Sequence, residues 1–281
     1  MNNIMIRQKI IFVFLISLNL SFGQSILIPM DLDGQKNHLK AYGVAYWILQ
    51  NKVEVDWLLN YRGGSFMCNF IEEIEKECIY RGVSYEKLST NQVNKILNTI
   101  ASPQNNFDIV KLEKHPKIAV YSPKNKQPWD DAVTLVLEYS EIPYDVIYDE
   151  EILNNLLPLY DWLHLHHEDF TGQYGKFYRS FKNAPWYVEQ KNIFENDAQK
   201  QGFEKVSKQK LSVVKKIKEY TAGGGFLFAM CSATDTYDIA LSAQETDICE
   251  YMFDGDPIEK NAQDKLKFIE TFAFENFEII K

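Results

Sequence analysis

The sequence predicts an α/β fold, a doubly wound parallel sheet with a smaller N-terminal β-α-β region, and three observations support this. Short apolar segments alternate with amphipathic helical segments along the chain. In the second half the apolar segments are almost continuously hydrophobic, as in strands buried on both faces of a sheet. The composition, with 46% hydrophobic and 14% aromatic residues, supplies a sizeable core. Such a pattern predicts a sheet covered by helices on both faces.

The first 23 residues have the pattern of a signal peptide. Arg7 and Lys9 precede an uncharged apolar run over residues 10–22, which is shorter than the ~20 residues that a membrane-spanning helix needs. The run ends in the small-x-small pattern of a cleavage site. We therefore expect removal of residues 1–23 and an exported protein, periplasmic or secreted, with no membrane span.

The net charge excludes one broad class of partner. The chain carries a formal charge of −9, and removing Arg7 and Lys9 from its 30 basic residues leaves 28 against 39 acidic ones, or −11. Attraction to phosphates needs a basic surface. We therefore expect no nucleic-acid partner. The expected partner is a small-molecule ligand of unknown identity.

Residues 24–112 are predicted to form the N-terminal α/β region. A strand at 25–29, a helix at 37–50 and a strand at 53–59 make a β-α-β unit, and Gly63-Gly64 marks the loop after it. This unit either packs on the following domain as a small second domain or extends its sheet. Two more helical patterns follow, at 70–80 and 93–100.

Residues 113–281 are predicted to form the main domain, whose strands occupy 117–122, 144–148, 160–167 and 226–231. A helix at 129–139 and a long amphipathic helix from Glu195 to Tyr220 lie between them. The lysines of the long helix, including Lys210, are predicted to lie on a solvated face. The apolar run at the end of the chain predicts that a C-terminal portion of the native protein is missing.

A cysteine follows the last predicted strand, at the turn into a helix. Cys231 stands between FLFAM and the small residues Ser232 and Ala233. A strand-to-helix turn exposes a nucleophile at the carboxyl end of a sheet, where backbone N–H groups can stabilise an oxyanion. Alternatively, Cys231 is a small apolar residue that ends a buried strand. Most of the four cysteines are predicted to be free, partly buried thiols; the other three are Cys68, Cys78 and Cys249.

The run from Lys117 to Ala243 resembles the class I glutamine amidotransferase-like superfamily, particularly its ThuA-like and other non-amidotransferase branches. The matching segments are KIAVYS, YDVIYDEEIL, YDWLHLHHEDF and AGGGFLFAMCSAT. The resemblance implies a flavodoxin-like sheet, Cys231 at the nucleophile elbow and the Ser232 N–H at the oxyanion position. Ala229 and Ala233 replace glycines of the amidotransferases, and no histidine follows Cys231. These departures count against glutaminase activity.

Taken whole, the chain also resembles exported bacterial proteins that are labelled asparagine synthetase B. The residues do not support that activity. An N-terminal glutaminase needs a cysteine at the mature N-terminus, where this chain has Gln24, and the S-G-G-x-D-S loop of the ATP pyrophosphatases is absent from the sequence.

The segment HLHHED, at the end of the third predicted strand of the main domain, is the second candidate for chemistry. In a flavodoxin-like order the third and fourth strands are neighbours, so residues 166–169 and 231–234 would share a crevice with Ser122–Lys124. A Cys–His pair with an acidic orienter, a metal site of two histidines and a carboxylate, or a plain polar rim would each fit. The cluster matches no known zinc spacing, so we predict no metal and no cofactor.

The predicted function is the binding of a small polar ligand without amidotransferase activity. The alternative is a Cys231-dependent hydrolase or transferase acting on an amide or sugar-like substrate. The candidate catalytic residues are Cys231, His166 and Glu168, and the candidate ligand-binding residues are His167, Asp169, Ser232 and Thr234.

Overall fold

The computed structural model describes residues 24–123, 132–174 and 177–280. The predicted signal peptide, residues 1–23, lies outside the described residues. Among the described helices, none combines the length and the apolar character that crossing a lipid bilayer requires.

The described chain divides into two compact units. The first comprises residues 24–38 and 53–112, and the second comprises residues 39–52 and 113–280. Helix α1 (His38–Gln50) therefore belongs almost entirely to the second unit, although the sequence analysis placed it in the N-terminal region.

The first unit contains a five-stranded sheet. Its order is β4-β1-β3-β2-β5, and every neighbouring pair is antiparallel. A core that includes Leu27, Leu58 and Met67 lies against this sheet together with Ile96 and Ile100. The elements of this unit are β1 (Ser25–Ile28), β2 (Val55–Leu59), β3 (Ser65–Asn69), α2 (Glu72–Arg81), β4 (Glu86–Leu88), α3 (Thr90–Ile100) and β5 (Asp108–Leu112).

The structure corrects the predicted N-terminal β-α-β region. Both predicted strands form, but β3 lies between them and is antiparallel to each. The chain reverses after β2 because Asn60, Gly63 and Gly64 adopt φ of 61°, 78° and 89°, a conformation that is easiest for glycine. A Cβ at Gly63 would lie 2.4 Å from the carbonyl oxygen of Met30. The N-terminal strands thus form their own sheet and do not extend the parallel one.

The second unit contains a parallel sheet of four strands in the order β7-β6-β8-β9. The predicted first and fourth strands of this domain lie in one sheet and run parallel, which confirms the coarse α/β prediction. The remaining elements of this unit are β6 (Ile118–Tyr121), α4 (Ala132–Ser140), β7 (Asp145–Ile147), α5 (Asp149–Leu153), β8 (Trp162–Leu165), α6 (Tyr178–Phe181), α7 (Pro185–Lys200), α8 (Val206–Ala222), β9 (Phe226–Ala229), α9 (Ser232–Ser242) and α10 (Tyr251–Asp254).

Helices contribute to apolar cores on both faces of this sheet. Along β6, Ile118 and Val120 pack with Leu137 of α4, whereas Ala119 and Tyr121 belong to the core that contains residues of α5, α8 and α9. This alternation follows from the period of two along a strand. Both faces of β6 are therefore buried, which accounts for its continuous apolar sequence.

The predicted long helix is two helices. The chain leaves the helical path between α7 and α8, at residues 201–205, where Gly202 has φ of +85°. A residue in this left-handed conformation ends a helix, and glycine adopts it without a steric penalty. Helix α7 also begins at Pro185, ten residues before the predicted start at Glu195, because proline is favourable in the first turn of a helix. The break gives the chain a separate α7, which supplies one wall of the pocket described below.

A buried carboxylate anchors the C-terminal segment on α9. Asp238 is 1% exposed, and its two oxygens accept hydrogen bonds from the backbone N–H groups of residues 272–274 at 2.7–2.9 Å. Hydrogen bonds to a charged acceptor are stronger than neutral ones. This contact fixes the segment against the helix that follows Cys231.

Candidate functional site

The candidate residues lie where β8 and β9 end. These strands are parallel neighbours, so their carboxyl ends lie at the same edge of the sheet. The backbone N–H of Ala233 donates to the carbonyl oxygen of His166 at 3.3 Å, and Ser232 Oγ donates to the carbonyl oxygen of His167 at 2.8 Å. The turn at Cys231 and the segment 166–169 are therefore in direct contact.

Cys231 occupies a strained turn between β9 and α9. Its φ of 55° and ψ of −141° lie outside the regions that non-glycine residues favour. The residue is exposed, and Thr234 Oγ1 donates to its carbonyl oxygen at 2.6 Å. The N–H groups of the first turn of α9 lack partners within the helix and carry the positive end of its dipole. The turn thus exposes a thiol beside a helix N-terminus.

Replacing Cys231 with Gly is expected to stabilise the protein, because glycine removes the steric cost of this conformation. Such strain costs on the order of 1–3 kcal/mol, and the entropy that glycine adds to the unfolded chain offsets about 0.4–1 kcal/mol of the gain. Thermal unfolding of Cys231→Gly beside Cys231→Ala checks this. A midpoint for Cys231→Gly that lies below that of Cys231→Ala by the full entropic penalty, about 0.4–1 kcal/mol, would show that no strain is stored at the turn.

Segment 166–169 forms a compact polar turn. The Nδ1 atoms of His166 and His167 lie 3.0 Å apart. One ring therefore donates a hydrogen bond through its Nδ1–H, and the other accepts it. Glu168 is buried, and its Oε2 accepts from the backbone N–H of His166 at 3.3 Å. Asp169 Oδ1 accepts from the backbone N–H of Thr171 at 2.7 Å. These bonds orient the carboxylates within the turn.

A pocket of about 160 Å³ opens beside this turn. Of the predicted ligand-binding residues, His167, Asp169 and Ser232 line it, as does Glu168. The lining does not include the other three predicted site residues, Cys231, His166 and Thr234. Of the predicted rim Ser122–Lys124, Pro123 lines the pocket and Lys124 lies outside the described residues. Much of the lining comes from aromatic residues that the sequence analysis did not select.

A buried charge cluster forms part of this pocket. Lys210 is 3% exposed, and its Nζ donates to Tyr121 Oη at 2.7 Å, to Tyr148 Oη at 2.9 Å and to Asp149 Oδ2 at 2.8 Å. Tyr121 Oη also donates to Asp149. Burial raises the pKa of both tyrosines well above the ordinary value, and the Asp149 carboxylate raises it further. Both hydroxyls therefore keep their protons, and Tyr121 donates its proton in the hydrogen bond to Asp149.

The position of Lys210 corrects the prediction of a solvated lysine face. Helix α8 buries Val206, Val213, Val214 and Ile217, and Lys210 lies four residues after the first of these and three before the second. That spacing places it on the apolar face. The helical period of α8 is therefore a usable signal for a buried lysine, which the prediction of a solvated face overlooks.

The thiols of the described structure differ in exposure. Cys68, Cys78 and Cys249 are buried and free, whereas Cys231 is exposed and free. Burial raises the pKa of Cys68 and Cys78 to about 12. Among the described residues, no group of three or more His, Cys, Asp or Glu side chains has an arrangement that could hold a metal ion.

Comparison of the chain with protein-family models, with curated proteins and with solved structures gives no match.

Proposed function

We propose that the second unit binds a small polar ligand in the pocket beside residues 166–169. One observation carries this proposal: the pocket lies at the carboxyl edge of a parallel sheet, where α/β proteins bind their ligands. Its volume of about 160 Å³ is below the ~300–1,000 Å³ of pockets for drug-sized molecules. The ligand is therefore small.

The proposed domain type is the flavodoxin-like, class I glutamine amidotransferase-like one. Two features support it. The strand order β7-β6-β8-β9 corresponds to 2-1-3-4 when the strands of this unit are numbered along the chain. Cys231 stands at a strained strand-to-helix turn, as a nucleophile elbow requires. We further propose that the chain is exported, which rests on the sequence of residues 1–23.

Binding can be tested by saturation-transfer NMR of the full chain with a library of small polar molecules. Helix α7 offers a matched pair of variants, because Gln190 lines the pocket whereas its neighbour Glu189 is exposed and does not. Gln190→Trp is expected to fill the pocket and abolish the signal of the bound molecules, and Glu189→Trp is expected to leave that signal unchanged. Molecules that bind both variants equally, or a library without binders, would refute the proposed site.

A second candidate function is Cys231-dependent hydrolysis or group transfer. The observation that favours it is the strain at Cys231, because strained backbone conformations cluster at active sites. The exposed sulfur lies on the turn whose next residue, Ser232, lines the pocket. A ligand bound there would have its electrophilic carbon near a nucleophile only if it extends from the pocket to this turn.

Thiol labelling of the native protein tests this second candidate. With iodoacetamide at neutral pH we expect one fast-reacting thiol per chain, which Cys231→Ser removes, because the other three are buried. Unfolding the protein should make the thiols of Cys68, Cys78 and Cys249 reactive as well. A catalytic thiol should react about tenfold or more faster than glutathione in the same buffer, since enzymes activate their nucleophiles. A rate at or below that of glutathione would count against catalysis and favour binding alone.

A further inference from the structure

One face of helix α7 forms a wall of the pocket. Four of its residues line the pocket: Tyr187, Gln190, Lys191 and Phe194. Their spacings of three and four place them on the same side of a helix. Tyr187 is the first of them and lies in the first turn of α7, which begins at Pro185. Its side chain therefore belongs to the side of α7 that faces the pocket.

Four of the described residues that line the pocket carry a hydroxyl group, and three of these hydroxyls are engaged within the protein. Ser232 Oγ donates to a backbone carbonyl oxygen at 2.8 Å. Tyr148 Oη accepts a hydrogen bond from Lys210 at 2.9 Å. The hydroxyl of Tyr174 donates to the carboxylate of Glu195. None of the three is without a partner in the empty pocket.

The fourth hydroxyl, that of Tyr187, has no hydrogen-bond partner among the residues that the structure describes. The residue is 4% exposed, and a buried polar group without a partner is costly. Burial raises the pKa of Tyr187 to about 12, so the hydroxyl keeps its proton at neutral pH. A ligand oxygen that accepts this proton in a hydrogen bond would remove the cost.

The rest of the lining favours an apolar ligand body. Four side chains offer only carbon atoms to the pocket: Pro123, Phe177, Phe194 and Val206. The ammonium group of Lys210 is held by a buried carboxylate at 2.8 Å and by two tyrosine hydroxyls, so its protons are already used. Contact with carbon atoms stabilises a ligand by removing its apolar surface from water.

We propose that Tyr187 is the specificity-determining hydrogen-bond donor of this pocket, and that the ligand is a small molecule with an apolar body and one carbonyl oxygen. The carbonyl oxygen accepts from Tyr187 Oη, and the apolar body contacts the carbon-rich wall. A carbonyl group suits this position because it accepts a hydrogen bond and has no proton of its own that needs an acceptor. This inference rests on the ligand site proposed above and specifies its chemistry.

The first test measures the ligand-free protein. Tyr187→Phe removes only the hydroxyl group, and its thermal midpoint should equal or exceed that of the parent, because no hydrogen bond is lost. Tyr46→Phe is the matched control. Tyr46 is also buried, but it donates to the carbonyl oxygen of Pro116 at 2.7 Å, so its loss should lower the midpoint by about 2–4 °C. A similar fall in Tyr187→Phe would show that its hydroxyl already has a partner, and would overturn the inference.

The second test measures binding with two probes of nearly the same shape. Cyclohexanone carries a carbonyl group, and methylenecyclohexane has a C=CH2 group in its place. In NMR titrations of the full chain, Tyr187→Phe should weaken cyclohexanone binding about tenfold and leave the affinity for methylenecyclohexane unchanged. Tyr46→Phe should leave both affinities unchanged, since Tyr46 lies outside the lining.

An affinity for cyclohexanone that is the same in Tyr187→Phe as in the parent would overturn the inference, and so would an equal loss for both probes. Absence of cyclohexanone binding at millimolar concentrations would also overturn it. The ligand site itself is still judged by its own library screen. There, binders that lack an acceptor oxygen and are lost in Gln190→Trp would support the site and refute the role of Tyr187.

Discussion

Replacing Lys210 with Met is expected to lower the free energy of unfolding of the second unit by about 3–5 kcal/mol. The substitution keeps much of the apolar stem but leaves the Asp149 carboxylate, 2% exposed, without its ammonium partner. Tyr121 Oη still donates to Asp149, yet a neutral hydroxyl cannot replace a buried positive charge. Urea unfolding, with hydrogen exchange of the α8 amides to localise the effect, measures the loss.

Two further variants separate the buried charge from a general effect of removing a lysine. Lys208 lies on the same helix and is exposed, so Lys208→Met should change stability by no more than about 0.5 kcal/mol. The double variant Lys210→Met with Asp149→Leu should be more stable than Lys210→Met alone, because no charge is then left buried. If Lys210→Met lowers the free energy of unfolding by less than about 1 kcal/mol, the buried ion pair between Lys210 and Asp149 does not form.

Replacing Gly172 with Ala is expected to cost about 3 kcal/mol, the sum of backbone strain and overpacking. Gly172 has φ of +83°, and a Cβ there would lie 2.6 Å from the Cα of Ser207 in the first turn of α8. Because the added Cβ would meet the backbone of Ser207 and not a flexible side chain, the loop after residue 169 must move away from α8. Gly172 also lines the pocket. We therefore expect Gly172→Ala to lower both the stability of the protein and its affinity for ligands. Thermal unfolding and the NMR binding assay measure the two effects.

Gly202 provides the matched control. Its φ of +85° is nearly the same, but a Cβ there would meet nothing within 4 Å. Gly202→Ala should therefore cost only the conformational part, about 1–2 kcal/mol, and should leave binding unchanged. If the two alanine variants lose the same stability, the close approach of Gly172 to α8 has no energetic consequence.

The parallel sheet could be predicted because its signals are local. Residues 118–121 are apolar at every position, and this is the pattern of a strand buried on both faces. Gly223–Gly225 ends α8 immediately before β9, so the next strand could be located as well. The contact between residues 166–169 and the turn at Cys231 could also be predicted, because neighbouring parallel strands have their carboxyl ends at the same edge of the sheet.

The antiparallel N-terminal sheet could not be predicted in the same way. Ser65–Asn69 is a five-residue strand that follows β2 across a tight turn, and a short apolar segment does not indicate which partner it will pair with. The left-handed conformations at Asn60, Gly63 and Gly64 decide the direction of return. The pairing of β3 with β1 joins residues that are distant in the chain, such as Ile28 and Phe66, and local patterns do not encode such contacts.

By itself, the sequence determined the four strands of the second unit, their parallel arrangement and the position of Cys231 between β9 and α9. The tertiary structure decided which side chains surround the carboxyl edge of the parallel sheet. It brought α7 and α8 beside the 166–169 turn, so that Tyr187, Phe194 and Lys210 line one pocket. The physical reason is that strand ends are fixed by backbone hydrogen bonding, whereas the walls of a pocket depend on how separate helices pack on the sheet. Only that packing reveals which polar atoms are buried and what partners they have.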